Sequence, residues 1–323
     1  MRRMRPAIDR WAWPGWVGLI LGVVVAAAHA DAAEVQTRSL RVGAQHRSYM
    51  AEVPAAPRPM PLVLVLHGNT QQGADMRART GWSALSARER FAVVFPDGLN
   101  RAWADLRSRD ERAGPSAPAG TDDVAFLLAL VEHFVEAGIA DPNRVYVAGA
   151  SNGGAMATTM ACGHAQTFAA AASMIMSLTK TMAEACKPAA PVPMLWMLGT
   201  ADPVVAYGGG RGEARRAVSG LLSASDTMAF WRRINRCEPG DADVAELPDQ
   251  HTEDRSTVTR IASRCPFGAD VMLYRVNGGG HRLPGHAPDA RMNRLVERLL
   301  GPQNRDIDAA EEVWAFFARH RRP

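Results

Sequence analysis

The sequence predicts an α/β domain with a mostly parallel central sheet, helices on both faces of that sheet and a β-hairpin at its N-terminal side. Three observations lead to this prediction. Continuous apolar runs recur along the chain, segments with helical spacing separate them, and a turn bounded by extended stretches precedes the first run. Parallel neighbours in a sheet need crossover connections, which are usually helices, so the alternation favours a parallel sheet.

Each element follows from its local pattern. The hairpin is expected at 38–42 and 47–53, around Gly43-Ala44-Gln45. Apolar runs typical of strands covered on both faces lie at 62–66, 91–95, 145–148, 194–198 and 271–274. Helical spacing is found at 74–88, 122–137, 153–165, 225–235 and 307–320. Two further stretches, 107–120 and 207–220, are expected to be surface loops, either plain insertions or binding edges.

The first thirty residues differ from the rest. Four arginines (Arg2, Arg3, Arg5 and Arg10) precede an apolar run at 16–28, and small residues follow. This pattern predicts a secretory signal peptide over 1–30 and a single catalytic domain over 31–323. A membrane anchor is the alternative, although the run is shorter than the roughly 20 apolar residues that a spanning helix needs. We therefore expect a secreted or periplasmic protein.

The net charge argues against a nucleic-acid partner. The whole chain has a formal net charge of +4. Residues 1–30 contain four Arg and one Asp, a charge of +3, so the predicted mature part has a charge of only +1. The sequence has no basic stripe with interleaved aromatic residues, so the usual signature of nucleic-acid binding is absent. No membrane contact is expected once the signal is removed, and the oligomeric state stays open.

Four cysteines lie in the part predicted to be exported, where disulfides form. Of the three possible connectivities we favour Cys162 with Cys186 and Cys237 with Cys265, because neighbouring partners close loops that are each worth roughly 3 kcal/mol. A zinc site is the alternative. It is disfavoured because no two cysteines have the Cys-x2-Cys spacing.

The segment Gly149-Ala150-Ser151-Asn152-Gly153 follows a predicted strand and opens a predicted helix. This context is typical of a nucleophile elbow, a tight turn in which a Cβ at either flanking glycine would collide with the backbone. Ser151 is the predicted nucleophile. The alternative is a structural turn.

A serine hydroxyl needs a base and an oriented acid, which in such a chain follow in the order Ser, Asp or Glu, His. His281, in a glycine-rich loop after the last strand, is the predicted base, with His286 as its nearest competitor. Asp202, after the strand at 194–198, is the predicted acid that fixes the imidazole tautomer. The alternative for Asp202 is a turn-forming residue before Pro203, and Asp226 and Asp270 are less well placed.

The negative charge that develops on an ester carbonyl needs two backbone N–H donors. One is expected from the residue after the nucleophile, Asn152. The other is expected from Asn69, which follows the strand at 62–66 after Gly68. His67 is expected to be a structural residue.

With these motifs in view, the chain resembles the polyhydroxybutyrate depolymerase and feruloyl esterase group of exported α/β-hydrolases. The likeness spans nearly all of the predicted mature chain and rests on the ordered segments 66–71, 80–82, 95–98, 121–124, 149–154, 199–205 and 278–281 with Pro284-Gly285. The resemblance implies the α/β-hydrolase fold, Ser151, Asp202 and His281 as the triad, and Asn69 and Asn152 as oxyanion donors. It also implies the cysteine pairing given above.

The chain departs from that group at two places. Arg282-Leu283 stands where Thr-Trp is usual, and Leu198 replaces a usual His before Gly199. The missing Trp bears on substrate choice, because an aromatic wall beside the base suits acyl or aryl groups. Candidate pocket walls in this chain are Trp82, Trp103 and Leu283, with core positions as the alternative for the two tryptophans.

The function predicted from these residues is hydrolysis of carboxylic esters through an acyl-enzyme, without metal or cofactor. Candidate substrates are polyhydroxyalkanoate oligomers, hydroxycinnamoyl esters and acetylated sugars, and a non-catalytic surface-binding protein on a degenerate hydrolase fold is the alternative. We expect soluble esters to be preferred over intact polymer, since no linker or second domain is visible after 307–320.

Overall fold

The computed structural model describes residues 37–109, 117–118, 120–214, 217–238, 240, 242–285 and 290–323, and the predicted signal segment 1–30 lies outside them. One sheet contains ten strands in the described part of the chain. They are β1 (Thr37–Val42), β2 (Gln45–Glu52), β3 (Met60–Leu66), β4 (Ala92–Pro96), β5 (Ala140–Ala150), β6 (Ala170–Met174), β7 (Met194–Gly199), β8 (Ala242–Glu246), β9 (Thr257–Ser263) and β10 (Val271–Asn277).

The sheet has a parallel centre and antiparallel margins. Its order is β1-β2-β4-β3-β5-β6-β7-β10-β9-β8. The six central strands pair in parallel, in the order β4, β3, β5, β6, β7 and β10. At the two sides of this centre, β1 and β2 and then β9 and β8 pair antiparallel. The carboxyl ends of the parallel strands therefore share one edge, which is where the sites of open α/β sheets form.

The described helices are α1 (Gly73–Arg79), α2 (Trp82–Glu89), α3 (Asp123–Glu136), α4 (Asn152–Gly163), α5 (Lys180–Ala185), α6 (Ala224–Ile234), α7 (Ala290–Leu300) and α8 (Ala309–Phe317). One apolar core joins the sheet to α3, α4 and α6, and a second joins its other face to α1, α2 and α8. Helices on both faces are thus present as predicted. None of these helices has both the length and the apolar character needed to cross a bilayer.

Three strands and two helices were not predicted. The strand β6 has the sequence Ala-Ala-Ala-Ser-Met, which lacks the branched and aromatic residues that mark strands. Its small residues are needed because α4 packs closely on it: a Cβ on Gly154 would lie 2.7 Å from Ser173 Oγ. The antiparallel strands β8 and β9 and the helices α5 and α7 were also missed. The helix expected over 74–88 is two helices, since Thr80 is extended.

Two disulfides join Cys162 to Cys186 and Cys237 to Cys265, the pairs that the sequence analysis favours. The first ties the last turn of α4 to the residue that follows α5, so it fixes these two helices to each other. Both fit a protein that folds in an oxidising compartment.

The ring of His320 is buried against Phe316 at the C-terminal end of the chain. Burial lowers the pKa of His320 from 6.5 to about 4. At pH values between about 4 and 6.5, His320 binds a proton in the unfolded chain but not in the folded chain. The free energy of unfolding therefore falls as the pH drops from about 7 to 4.

We expect His320→Gln to remove this dependence. The wild type should lose up to about 3 kcal/mol more than the variant between pH 7 and 4, from about 1.4 kcal/mol for each unit of pKa. Urea unfolding at a series of pH values measures the difference. Parallel stability curves for the two proteins would show that His320 does not titrate in this way.

Candidate active site

Ser151 lies between the end of β5 and the start of α4, in a backbone conformation that an ordinary residue rarely adopts. Its φ is +54° and its ψ is −116°. A Cβ on Gly149 would lie 2.1 Å from the carbonyl oxygen of Gly153, and a Cβ on Gly153 would lie 2.4 Å from that of Leu66. Both glycines are therefore required, as predicted, and the strained turn presents the Ser151 hydroxyl at the carboxyl edge.

Three side chains from three different loops form a hydrogen-bonded chain at this edge. His281 Nε2 lies 3.0 Å from Ser151 Oγ, and His281 Nδ1 lies 2.8 Å from Asp202 Oδ2. Asp202 and His281 are both buried, which excludes most water from the second contact. The geometry is that of a serine nucleophile with its base and orienting acid. His286, the alternative base, lies outside the described residues.

The backbone around Asp202 fixes the direction of its carboxylate. Asp202 Oδ1 accepts hydrogen bonds from the N–H groups of Val204 and Val205, both at 2.8 Å, which leaves Oδ2 for His281. Asp202 thus makes the turn proposed as its alternative role and also contacts His281.

The loop that carries His281 is equally fixed. The His281 N–H donates to the carbonyl of Leu300, and the Gly280 N–H donates to that of Pro302. A Cβ on Gly280 would lie 2.1 Å from the Leu300 oxygen, so the glycine-rich sequence permits a close approach of two backbone segments. The position of the imidazole is therefore set by backbone contacts on both sides.

The N–H groups of Asn69 and Asn152 have no hydrogen-bond partner among the described residues. The Asn69 loop is closed by Gln71, whose N–H donates to the Gly68 carbonyl and whose Oε1 accepts from the Gly68 N–H. Asn152 is the first residue of α4, where backbone N–H groups are free of helical bonds and favour negative charge. Two unpaired donors near Ser151 are what a developing oxyanion needs.

His67 supports this loop without contacting the triad. Its Nδ1 donates to the Gly68 carbonyl and its Nε2 accepts from the Gly98 N–H, which fits the neutral ring. Burial lowers the pKa of His67 below its usual value of 6.5, so the neutral form is favoured. His67 therefore has the structural role expected for it.

The side chain of Asn152 makes a network that the sequence analysis missed. Its Oδ1 accepts from the Trp103 N–H at 2.7 Å, and its Nδ2 donates to the Trp103 carbonyl and to Asp105 Oδ2. Asp105 is buried and pairs with Arg107 through both carboxylate oxygens. These contacts bind the loop after β4 to the residue that begins α4.

The chain is similar to known esterases. A family model described as esterase PHB depolymerase matches residues 45–205. The chain is 31% identical over 296 residues, or 88% of its length, to the "Putative esterase NocK" of Nocardia uniformis subsp. tsuyamanensis, of which it covers 83%. The chain belongs to the esterase PHB depolymerase family.

Two further likenesses agree with this membership. The chain is 29% identical to feruloyl esterase B of Piromyces equi over 68% of its own length, but it covers only 39% of that protein. Its fold is similar to that of the acetyl xylan esterase from Aspergillus awamori, with a TM-score of 0.52, 16% identity and coverage of 76% of this chain and 94% of that one. This family member has the α/β-hydrolase fold and is a carboxylic ester hydrolase.

The structure corrects the expectation for the pocket walls. Trp82 and Trp103 are each only 1% exposed, so neither ring offers a face to a substrate. Trp82 packs on Phe91 in the core, and Trp103 lies against the His67 ring and donates from Nε1 to the His67 carbonyl. Leu283 is partly exposed and stays a candidate contact.

Two other family motifs have structural roles here. Asp123, which pairs with buried Arg47, accepts from the Ala104 N–H at 2.7 Å. Asp97 accepts from the Ser48 hydroxyl and the Gly73 N–H. Both carboxylates therefore hold loops next to Asn69 and Asn152, the predicted oxyanion donors. Within the described residues, no group of three or more His, Cys, Asp or Glu is arranged to bind a metal.

We expect Asp105→Ala to lower the free energy of unfolding by about 2–4 kcal/mol, because Arg107 and Asn152 lose a buried partner. The kcat should fall as well, since the loop that anchors Asn152 is released. Urea denaturation and steady-state kinetics measure the two effects. Asp243→Ala is the matched control: it removes an exposed pair with Arg260 and should cost no more than about 0.5 kcal/mol. An equal loss of unfolding free energy in the two variants would contradict a stabilising role for the buried contacts of Asp105.

Proposed function

We propose that Ser151 is the nucleophile of this esterase, His281 its general base and acid, and Asp202 the residue that orients His281. The observation that carries the proposal is the continuous chain of hydrogen bonds from Ser151 Oγ through the imidazole to Asp202. No metal is needed for a hydroxyl activated in this way.

The reaction follows from the geometry in two stages. His281 Nε2 takes the Ser151 proton while Oγ attacks the ester carbonyl, and it then returns that proton to the departing alcohol. An acyl-enzyme results. Water, deprotonated by the same nitrogen, attacks the acyl carbonyl and releases the acid and free Ser151. In each stage the N–H groups of Asn69 and Asn152 stabilise the charge on the carbonyl oxygen.

We propose soluble esters of aliphatic hydroxyacids, such as short hydroxybutyrate oligomers, as substrates. In the described loops at the carboxyl edge, the aromatic side chains besides histidine are Trp103, which is buried, and Tyr207, which packs on the core. Leu283 stands in the place of the family's usual Trp. An aryl group would therefore find little ring surface, whereas an aliphatic acyl chain can pack on Leu283.

Turnover of four substrates tests this proposal. They are a soluble hydroxybutyrate oligomer, methyl ferulate, acetylated xylan and polyhydroxybutyrate granules. We expect the highest kcat/KM on the oligomer and slow clearing of granules. Higher kcat/KM on methyl ferulate would favour a feruloyl esterase, the activity in the name of the Piromyces equi relative. Efficient granule clearing would favour a depolymerase of solid polymer.

We also propose that residues 1–30 direct export and that the remaining chain is one catalytic domain in the periplasm or outside the cell. The basic start, the apolar run at 16–28 and the two disulfides support this. N-terminal sequencing of the protein from fractionated cells tests it. An intact Met1 in a membrane fraction would favour the anchor instead.

A further inference from the structure

Arg101 lies beside the loop that carries one of the proposed oxyanion donors. The N–H of Thr70, the residue after Asn69, donates to the Arg101 carbonyl at 2.8 Å. Arg101 follows β4, and Asn69 follows the neighbouring parallel strand β3, so both residues stand at the carboxyl edge of the sheet. The backbone of Arg101 is therefore bonded to the loop that carries Asn69.

The backbone holds Arg101 in a conformation that costs energy. Its φ is +58°, and that of the preceding Asn100 is +52°, a region that side chains other than Gly rarely occupy. The Arg101 N–H donates to the Gly98 carbonyl, and the Gly98 N–H is itself bound by His67. Such strain persists only where the surroundings determine it, and it is concentrated at functional sites. The backbone and Cβ of Arg101 are therefore fixed relative to the Asn69 loop.

The Arg101 charge is exposed and has no carboxylate partner among the described residues. Its guanidinium donates a hydrogen bond of 3.4 Å to Gln72 Oε1, which is too long to be strong. The described acids nearest to Arg101 in this loop bind other groups: Asp97 accepts from Ser48 and Gly73, and Asp105 accepts from Arg107 and Asn152.

Arg282, which follows the catalytic His281, also has no carboxylate partner among the described residues, but it is less accessible. It is half-buried, its guanidinium contacts Gln303, and its Nη1 is buried without a hydrogen-bond partner. Arg101 is therefore the more exposed of the two cations and the more accessible to a charged group on a ligand.

We propose that Arg101 binds a carboxylate on the substrate, namely the free acid end of a short hydroxyacyl oligomer. This inference rests on the proposed hydroxyacyl function and adds a preference for anionic chain ends. Arginine keeps its charge at all relevant pH values, and its planar fork matches a carboxylate with two hydrogen bonds. One hydroxybutyrate unit spans roughly 5 Å, so the acid end of a dimer or trimer lies one or two units from the scissile carbonyl.

A matched pair of substrates isolates this contact. The hydroxybutyrate dimer with a free carboxylate is compared with its methyl ester, which has the same scissile bond but no charge. Arg101→Gln is compared with Arg90→Gln. Arg90 is also exposed, also has a positive φ of 62° and lies at the other end of β4, so it controls for the loss of an arginine in the left-handed conformation.

We expect the wild type and Arg90→Gln to show higher kcat/KM on the free acid than on the methyl ester. Arg101→Gln should lower kcat/KM on the free acid about fivefold, mainly through KM, and leave the methyl ester and a nitrophenyl ester within about twofold. Rising salt should reduce the wild-type preference, because exposed charges are screened.

Three results would overturn the inference. If Arg101→Gln slows the charged and neutral dimers equally, Arg101 acts on the loop and does not bind the carboxylate. If both dimers are cleaved without preference for the acid, the hydroxyacyl function stands and the role of Arg101 fails. If neither dimer is cleaved while the nitrophenyl ester is, the proposed substrate class fails and this inference fails with it.

Discussion

Replacing Ser151 with alanine is expected to lower kcat/KM on a short nitrophenyl ester by at least about 10³-fold, since only oxyanion stabilisation and binding would remain. The loss should lie in kcat, because in the proposed mechanism the Ser151 hydroxyl forms the acyl bond and contributes little to ground-state binding. Alanine can take the same strained backbone conformation, and the glycines around it are unchanged, so the fold should survive.

Thermal unfolding and steady-state kinetics of the same preparation measure these effects. Ser83→Ala, which removes a serine of α2 that contacts Glu52, is the matched control and should keep the wild-type rate. A Ser151→Ala protein that retains activity after repurification would show that another residue attacks the ester.

Asp202→Asn is expected to lower kcat by about 10³- to 10⁴-fold through the wrong imidazole tautomer. Asp202 Oδ1 accepts two backbone hydrogen bonds, so the amide oxygen of an asparagine would stay on that side. Its NH₂ group would then face His281 Nδ1 and donate to it. The remaining ring proton would move to Nε2, which could no longer accept the Ser151 proton.

The control for this substitution is Asp226→Asn. Asp226 is an exposed residue at the start of α6 and was a less well placed alternative for the acid. The Asp226→Asn substitution should leave kcat unchanged. A near-wild-type rate for Asp202→Asn would assign the orienting role to another carboxylate.

Much of the fold and site follows from local sequence. The strand β3 shows why: Leu62, Leu64 and Leu66 face one core, and Val63 and Val65 face the other, so a continuous apolar run does indicate a strand covered on both sides. The elbow is also local, because its glycines, strand and helix are contiguous.

Other features depend on contacts that no local pattern encodes. Asp105 meets the side chain of Asn152, which is 47 residues away, and nothing in the loop 107–120 or its flanks marked that pairing. The positions of Trp82 and Trp103 could not be assigned from the sequence, because a large aromatic residue suits both a pocket wall and a core. The alanine-rich β6 was missed because its composition is set by the close approach of α4 and not by strand propensity.

Labelling with a nitrophenyl diethyl phosphate tests the central claim most directly. This ester phosphorylates an activated serine, and the adduct can be located by mass spectrometry of peptides. We predict one diethylphosphoryl group per molecule, on Ser151, with loss of activity in proportion to labelling and no adduct on Ser151→Ala. A fully active protein that carries no adduct, or an inactivated protein labelled at another residue, would contradict the assignment of Ser151 as the nucleophile.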